Sequence, residues 1–231
     1  LVGTVAHAGK TLSFAPAEYY LVSGKKTKLI GWYPRRSGVS YTQGTRVVDF
    51  GEIDGKTDLM ATVLYEGSKG TKISSITFNH LLTQFSIKVY APDAAAQGLW
   101  GTVSSIKIAE KKQTCTITLP AATETANTAA APTFTGNSDL DLVKTDLTTS
   151  PASTITYPLT LGVGTAANAA QAGYAMFAPQ TAGNVVLKIE LSSGVTQTVN
   201  VPVPTTPTPA GFLHGHAYEI TLKFSSSAIT P

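Results

Sequence analysis

Cysteine occurs once in these 231 residues, as Cys115 in TCTITL. A single thiol closes no internal disulfide, so this is not a small disulfide-stapled domain, although export stays open. At an alternating strand position Cys115 reads as a packing residue rather than a nucleophile. Charged residues make up 13% of the chain, against an ordinary ~25%. Runs of Lys, Glu and Leu are missing, and no stretch keeps a 3.6-residue apolar period for three turns, so long helices are excluded. No apolar run reaches the ~18 residues of a membrane-spanning helix. No repeat of 20–50 residues is visible, and no basic stripe with interleaved aromatics points to nucleic acid.

What the chain has is Thr, Ser, Ala and Val, the composition of β-structure with short turns. The clearest segment is near the C-terminus. Val185, Leu187, Ile189 and Leu191 alternate, Ser192-Ser193-Gly194 turns, and Val195, Val199, Val201 and Val203 alternate again, which predicts a hairpin with one face on a core. Pro202, Pro204, Pro207 and Pro209 then end the ladder. The last strand is expected at His216–Phe224, with Tyr218, Ile220, Leu222 and Phe224 on one face. Thr102–Ala109 and Thr114–Leu119 read as two strands paired across Glu110–Gln113, and 120–138, rich in Ala, Thr, Asn and Pro, reads as a loop. Pro92–Gly98 has room for one helical turn.

The segment Ser75–Ala91 reads as a strand whose apolar phase changes. Ile76, Phe78 and Leu82 take even positions; Leu81, Phe85, Ile87, Val89 and Ala91 take odd ones. Alternate side chains point to opposite faces, so one phase serves one core. A change at His80, Leu81 and Leu82 predicts a junction where the chain passes between cores, with His80 bonded to backbone freed by a bulge. The expected architecture is all-β: two sandwich domains, 1–75 and 76–231. The first core is expected from Leu29, Trp32, Val48, Phe50, Leu59 and Val63. The second is expected from Phe85, Ile87, Val89, Ile106, Ile108, Leu187, Ile189, Ile220 and Leu222. Charge divides too: residues 1–112 carry 14 basic and 8 acidic side chains, and 113–231 carry 3 and 6. This is a surface asymmetry that could orient subunits on encounter.

Chemistry is sparsely provided. The histidines are only His7, His80, His214 and His216, and no G-x-S-x-G occurs. His214 and His216 would share a strand face, but a metal site needs a third ligand and Glu219 falls on the other face. Asp139 and Asp141 also share a face, Asp54 and Asp58 flank a turn, and Asp146 lies nearby. None has calcium-loop or glycosidase spacing, and Asp-rich turns ordinarily close backbone. Tyr19-Tyr20, Trp32-Tyr33 and Trp100 are the aromatic candidates for a sugar platform, with packing in a core as the competing role. We expect no catalytic, cofactor or metal residues.

Read in order, several motifs add up. Glu18-Tyr19-Tyr20 is followed by Gly31-Trp32-Tyr33-Pro34, Asp58-Leu59-Met60 and Phe78-Asn79-His80-Leu81-Leu82. Then come Trp100…Ile106-Lys107-Ile108, Ala178-Pro179-Gln180 and Gly215-His216-Ala217-Tyr218-Glu219-Ile220. Over nearly the whole chain this series resembles the fimbrillin-like proteins of Bacteroides-group bacteria, with Asn79 where Lys or Arg is common. The resemblance implies two tandem transthyretin-like β-sandwiches and export as a lipoprotein precursor. It also implies outer-membrane anchorage and a surface fimbrium built from pilin subunits, self or related. Proteolytic removal of an N-terminal segment would open a groove that a neighbour's strand fills. The alternative is a non-polymerising surface lipoprotein that binds host glycan or protein. Tyr218, Ile220, Leu222 and Phe224 form a comb suited to a donated assembly strand, or an ordinary internal one. Leu1-Val2-Gly3-Thr4-Val5 starts as if in mid-strand, so the gene product is expected to extend upstream.

Overall fold

In the computed structural model the described residues are 3–6, 11–14, 19–206 and 208–231, with side chains described from residue 19 onward. Nearly every element is a strand, and the apolar residues gather into two clusters. Gly3–Ala6 and Thr11–Phe14 pair as an antiparallel hairpin.

The larger core lies between two sheets. In the five-stranded sheet, Thr83–Ala91 pairs in parallel with Ala217–Phe224 and antiparallel with Ala170–Phe177. Along Thr83–Ala91 strict alternation sends Phe85, Ile87, Val89 and Ala91 inward, each 0% exposed. Facing it is part of a seven-stranded sheet containing Thr102–Thr118, Asn184–Leu191 and Thr196–Pro202. The predicted hairpin Asn184–Leu191/Thr196–Pro202 is present, with Val185, Leu187, Ile189, Val199 and Val201 buried and Val195 out in solvent. Phe85 meets Phe177 and Phe212 edge-on at 4.8 and 4.6 Å between ring centroids, a favourable aromatic geometry. Every residue expected in this core is in it, with Ile220 packed at its margin. The predicted helical turn is the helix Ala94–Trp100, whose Asp93 carboxylate accepts the Ala96 N–H.

The smaller core contains Val48, Phe50, Leu59, Leu81, Leu82, Cys115 and Ile117. One wall is Ser40–Thr42, Val47–Glu52 and the second half of Thr102–Thr118. The other is a thin three-stranded sheet of Trp32–Tyr33, Met60–Ala61 and Asn79–His80. Ile30 rather than Leu29 packs on this core, and Leu64 rather than Val63 is buried. The reason is that Leu59–Tyr65 is not one strand. It is broken between Met60–Ala61 and Tyr65–Gly67, which resets the alternation.

Three further expectations are corrected. Thr102–Ala109 and Thr114–Leu119 are not a hairpin but one strand of 17 residues, Thr102–Thr118. Glu110-Lys111-Lys112-Gln113 lacks the Gly or Asn of a tight turn. It forms a bulge instead, with Glu110 at φ 58° and register shifts on either side of Lys112. Before the bulge Val103, Ile106 and Ile108 face the larger core; after it Cys115 and Ile117 face the smaller one. This strand, not Ser75–Ala91, runs unbroken between the cores. The loop expected at 120–138 gives way at its end to a strand, Ala131–Asp141, laid along the bulged strand from Lys107 to Thr118. Its Phe134 packs on the smaller core and its Leu140 enters the larger.

The phase change at His80–Leu82 has a different basis from a continuous strand. Leu81 N–H donates to Leu59 O, Leu82 O accepts from Gly215 N–H, and Gln84 N–H donates to His216 O. Leu81, Leu82 and Thr83 are thus buried in succession, the leucines in the smaller core, and alternation starts afresh toward Phe85. Phe78 belongs to neither cluster; its ring packs beside Gly31, 3.2 Å from where a Cβ there would stand.

A strand shared by two cores should make them unfold together. Ile108→Ala and Ile117→Ala, one in each core, should each cost ~2–5 kcal/mol and shift one common denaturation transition. Two resolved transitions, each variant moving only one, would contradict that coupling.

Candidate functional site

Polar side chains gather in the cleft where the two cores meet. Its first element is the loop Asp54–Asp58. Asp54 closes it as an Asx-turn, accepting from the backbone N–H groups of Lys56 (2.9 Å) and Thr57 (2.7 Å), the Thr57 hydroxyl (2.7 Å) and Arg36 (3.2 Å). Burial alone would raise its pKa. The bonds from Thr57, Lys56 and Arg36 outweigh burial and hold it at about 2, below an ordinary 3.8. The turn presents Gly55, at φ 71°, whose carbonyl accepts Met176 N–H at 2.8 Å. A Cβ at Gly55 would stand 3.5 Å from the Ala175 Cβ, so the loop lies directly on the larger core's sheet.

At the other end of the loop Asp58 meets His80, Oδ2 to Nδ1 at 2.5 Å. His80 was expected to satisfy backbone freed by a bulge; its side-chain partner is a carboxylate, because the Asn79–His80 backbone is already paired with Met60–Ala61. His216 lines the same cleft of about 120 Å³, with Leu82, Thr83, Gln84, Met176, Gly215 and Ala217. His214 is exposed beside it. Among the described residues no group of three His, Cys, Asp or Glu side chains is placed to hold a metal ion.

Asp139 and Asp141 do share a face, and each has a lysine. Asp139 binds Lys188 through both oxygens, at 3.0 and 2.7 Å, and accepts the N–H of bulged Glu110 at 3.3 Å. Asp141 stands 3.6 Å from Lys107. The Lys188 hydrogen bond leads in lowering the Asp139 pKa. Lys107, Asp139 and Lys188, with Ser105, Glu190 and Thr196, line an open polar groove of about 270 Å³ on the outer sheet face. Asp146 binds Thr148 and only closes its turn.

The aromatic candidates are divided between packing and surface. Trp100 donates its indole N–H to Ser225 O and packs edge-on against Phe224. Tyr20 accepts Ile73 N–H, while Tyr19 is exposed. Trp32 packs on the smaller core under Tyr41, at 5.3 Å between centroids; Tyr33 and Tyr41 remain about half exposed.

The comb of the last strand is built into the fold. Leu222 and Phe224 are fully buried, and Tyr218 and Ile220 are half-buried. The Tyr218 hydroxyl donates to Gly211 O and accepts from Leu213 N–H. Sequence reasoning missed the Gly55 contact and the Ala131–Asp141 strand. Asp54-Gly55 marks the turn but not what it touches, and only Phe134 and Leu140 betray the strand.

Cys115 is 0% exposed, and burial, with Asp49 nearby, pushes its thiol up to about 12. The native chain should not react with a thiol reagent at about pH 8 and should react fully once denatured; ready native labelling would contradict the placement. For Asp54 the folded pKa lies below the unfolded one. Its contribution is therefore whole above about pH 4 and is lost as pH falls through about 2. Asp54→Asn should flatten that part of the acid limb while still losing stability at neutral pH. Melting curves of variant and wild type that run parallel from about pH 7 to about pH 2 would refute the assignment.

The all-β, sandwich-like fold recurs in a crystal structure of a candidate cell-adhesion protein from Bacteroides uniformis ATCC 8492. The TM-score is 0.58 at 19% identity, over 97% of this chain and 75% of that one. No curated protein matches the chain in sequence. The family described as fimbrillin-like matches residues 2–231, a span that takes in all the motifs from Glu18 to Ile220, and the chain belongs to that family.

Proposed function

We propose that the protein is a structural subunit, stalk or tip, of a cell-surface pilus, assembled with other pilin subunits by strand complementation after proteolytic processing. The match to the fimbrillin-like family along residues 2–231 carries this reading. Anchorage would pass through a lipidated precursor at the outer membrane. The thin wall of the smaller core supports this reading. The smaller core is covered on one side by three strands of two residues each, so few backbone bonds close that wall. Loss of an N-terminal segment from such a wall would expose apolar pockets and unpaired N–H and C=O groups to a neighbour's strand.

The two sandwiches are proposed as tandem transthyretin-like units that share Thr102–Thr118. The smaller core draws Leu81, Leu82, Cys115 and Ile117 from beyond the expected cut at residue 75. His80, Leu81 and Leu82 are proposed as the junction. For Tyr218, Ile220, Leu222 and Phe224, the packing supports the internal strand over the donated one. The second reading, a surface protein that binds host glycan or protein, draws on the exposed Tyr33 and the Tyr41 ring tilted against Trp32.

Protease-treated chain on a sizing column and an unboiled gel separates the two. A ladder of subunits, with fibres in electron micrographs, is the expected result. A strict monomer that binds sugar would replace the pilus reading with the second one.

A further inference from the structure

Sheet edges are hazards, and this molecule treats its edges unequally. Ser40–Thr42 is an edge of three residues, near Arg36 and Arg46. Thr27–Leu29 is equally short and lysine-flanked. Thr196–Pro202 ends in proline, with Pro204 following. Ala217–Phe224 carries Lys223 and is closed at its far end by Ile229–Thr230. The outer edge of Ala170–Phe177 is taken by Val143, bonded both ways to Tyr174, and by Gly55. Short length, basic residues, proline and cover are the usual protections against pairing with another chain.

Ala131–Asp141 has almost none of them. It is 11 residues long, and among the described strands it pairs only with Thr102–Thr118. It contains no lysine or arginine, and its one proline is at its start, Pro132. Thr133, Thr135, Gly136, Asn137 and Ser138 are all exposed. The chemistry that completes such an edge is an extended backbone. Among the described residues no second edge is equally long and equally unprotected, so the matching edge is the same strand on a second copy.

We infer that two copies of this chain associate side by side through their Ala131–Asp141 strands, antiparallel about a two-fold axis at Gly136. The charge pattern selects this direction. Both acids, Asp139 and Asp141, lie toward one end of the strand. Parallel pairing in register would set each beside its like, which is destabilising. Antiparallel pairing about Gly136 sets Asp139 against Thr133, Asp141 against Ala131 and Thr135 against Asn137. It also keeps the two faces matched, Phe134 meeting Ser138 on the core side. Gly136, at φ 99°, stands on the axis with its carbonyl accepting from the Gln113 side chain at 3.1 Å, so the ladder bonds between the two copies fall on either side of it. An isologous contact of this kind closes on itself. It is therefore separate from the head-to-tail strand exchange proposed for a pilus.

Sedimentation of the chain, without protease treatment, should give twice the chain mass in a concentration-dependent equilibrium. Thr133→Asp places a carboxylate opposite Asp139 in two symmetry-related pairs and should weaken the dimer roughly tenfold. Thr133→Lys should not weaken it, and both variants should melt with the wild type. The native thiol is buried, so mixing Thr135→Cys with Asn137→Cys chains should trap a disulfide-linked heterodimer on mild oxidation. A chain that stays monomeric as concentration rises overturns the inference. So does a dimer indifferent to Thr133→Asp, or one that the mixed cysteines fail to trap. A protease-dependent ladder with no dimer before processing would leave the pilus reading standing and sink this one.

Discussion

Everything in this molecule hangs on the backbone ladder of Thr102–Thr118. On one edge it bonds Asn184–Leu191 in its first half and Val47–Glu52 in its second. On the other it bonds Ala131–Asp141 along both halves. A chain with two hydrophobic cores needs some element whose side chains serve both, and period-2 alternation forbids one regular strand from doing so when the cores call for different phases. The bulge at Glu110–Gln113 is the physical answer. It leaves Ile106 and Ile108 pointing into one core and Cys115 and Ile117 into the other. Its cost is a freed backbone N–H at Glu110, which the Asp139 carboxylate takes up. Lys188 holds that carboxylate from the opposite neighbouring strand, so the weak point of the ladder is tied across its outer face.

The same reasoning explains which parts of the architecture could be read from residues alone. The larger core was legible because its strands alternate cleanly over 7–9 residues, as Thr83–Ala91 and Asn184–Leu191 do. The all-β class and sandwich-like character followed from that alternation. The smaller core was only partly legible, since three of its strands are two residues long and a period needs more than two residues to show. Val63 and Leu29 were misplaced there for that reason: a broken strand resets the phase, and nothing local announces the break.

The long strand was the instructive failure. Its even-to-odd change, Ile106 and Ile108 then Cys115 and Ile117, is the same kind of signal as the one at Leu82–Phe85. Charged residues between apolar runs look like a turn, and a turn hides a phase change because it resets the count anyway. Glu110-Lys111-Lys112-Gln113 nevertheless lacks the residues that two-residue hairpins require. Weighing turn chemistry above charge would have favoured the bulge. Ala131–Asp141 was missed for the opposite reason. A strand exposed on both faces along most of its length needs no apolar alternation, so its sequence looks like a loop until its partner is known.

The contacts around Leu81–Gln84 show why the two cores belong to one object rather than to beads on a string. Leu81–Gln84 crosses from core to core held by backbone bonds to Leu59, Gly215 and His216 in turn. The Asp54 turn adds a second tie by presenting the Gly55 carbonyl to Met176. A third is the shared strand, and a fourth is Ala131–Asp141 with Phe134 and Leu140 in separate cores. Three chain crossings and one hydrogen-bonded turn resist bending far better than one linker. In a protein whose family is fimbrillin-like, such stiffness has a mechanical meaning. In the pilus subunit proposed above, tension would pass from one core to the other through backbone ladders, which share it over many hydrogen bonds. The polar ties at Asp54 and Asp139 then matter less for the net stability they add than for fixing the angle between the units. Both are partly exposed, and exposed charge pairs contribute little energy while still selecting one geometry.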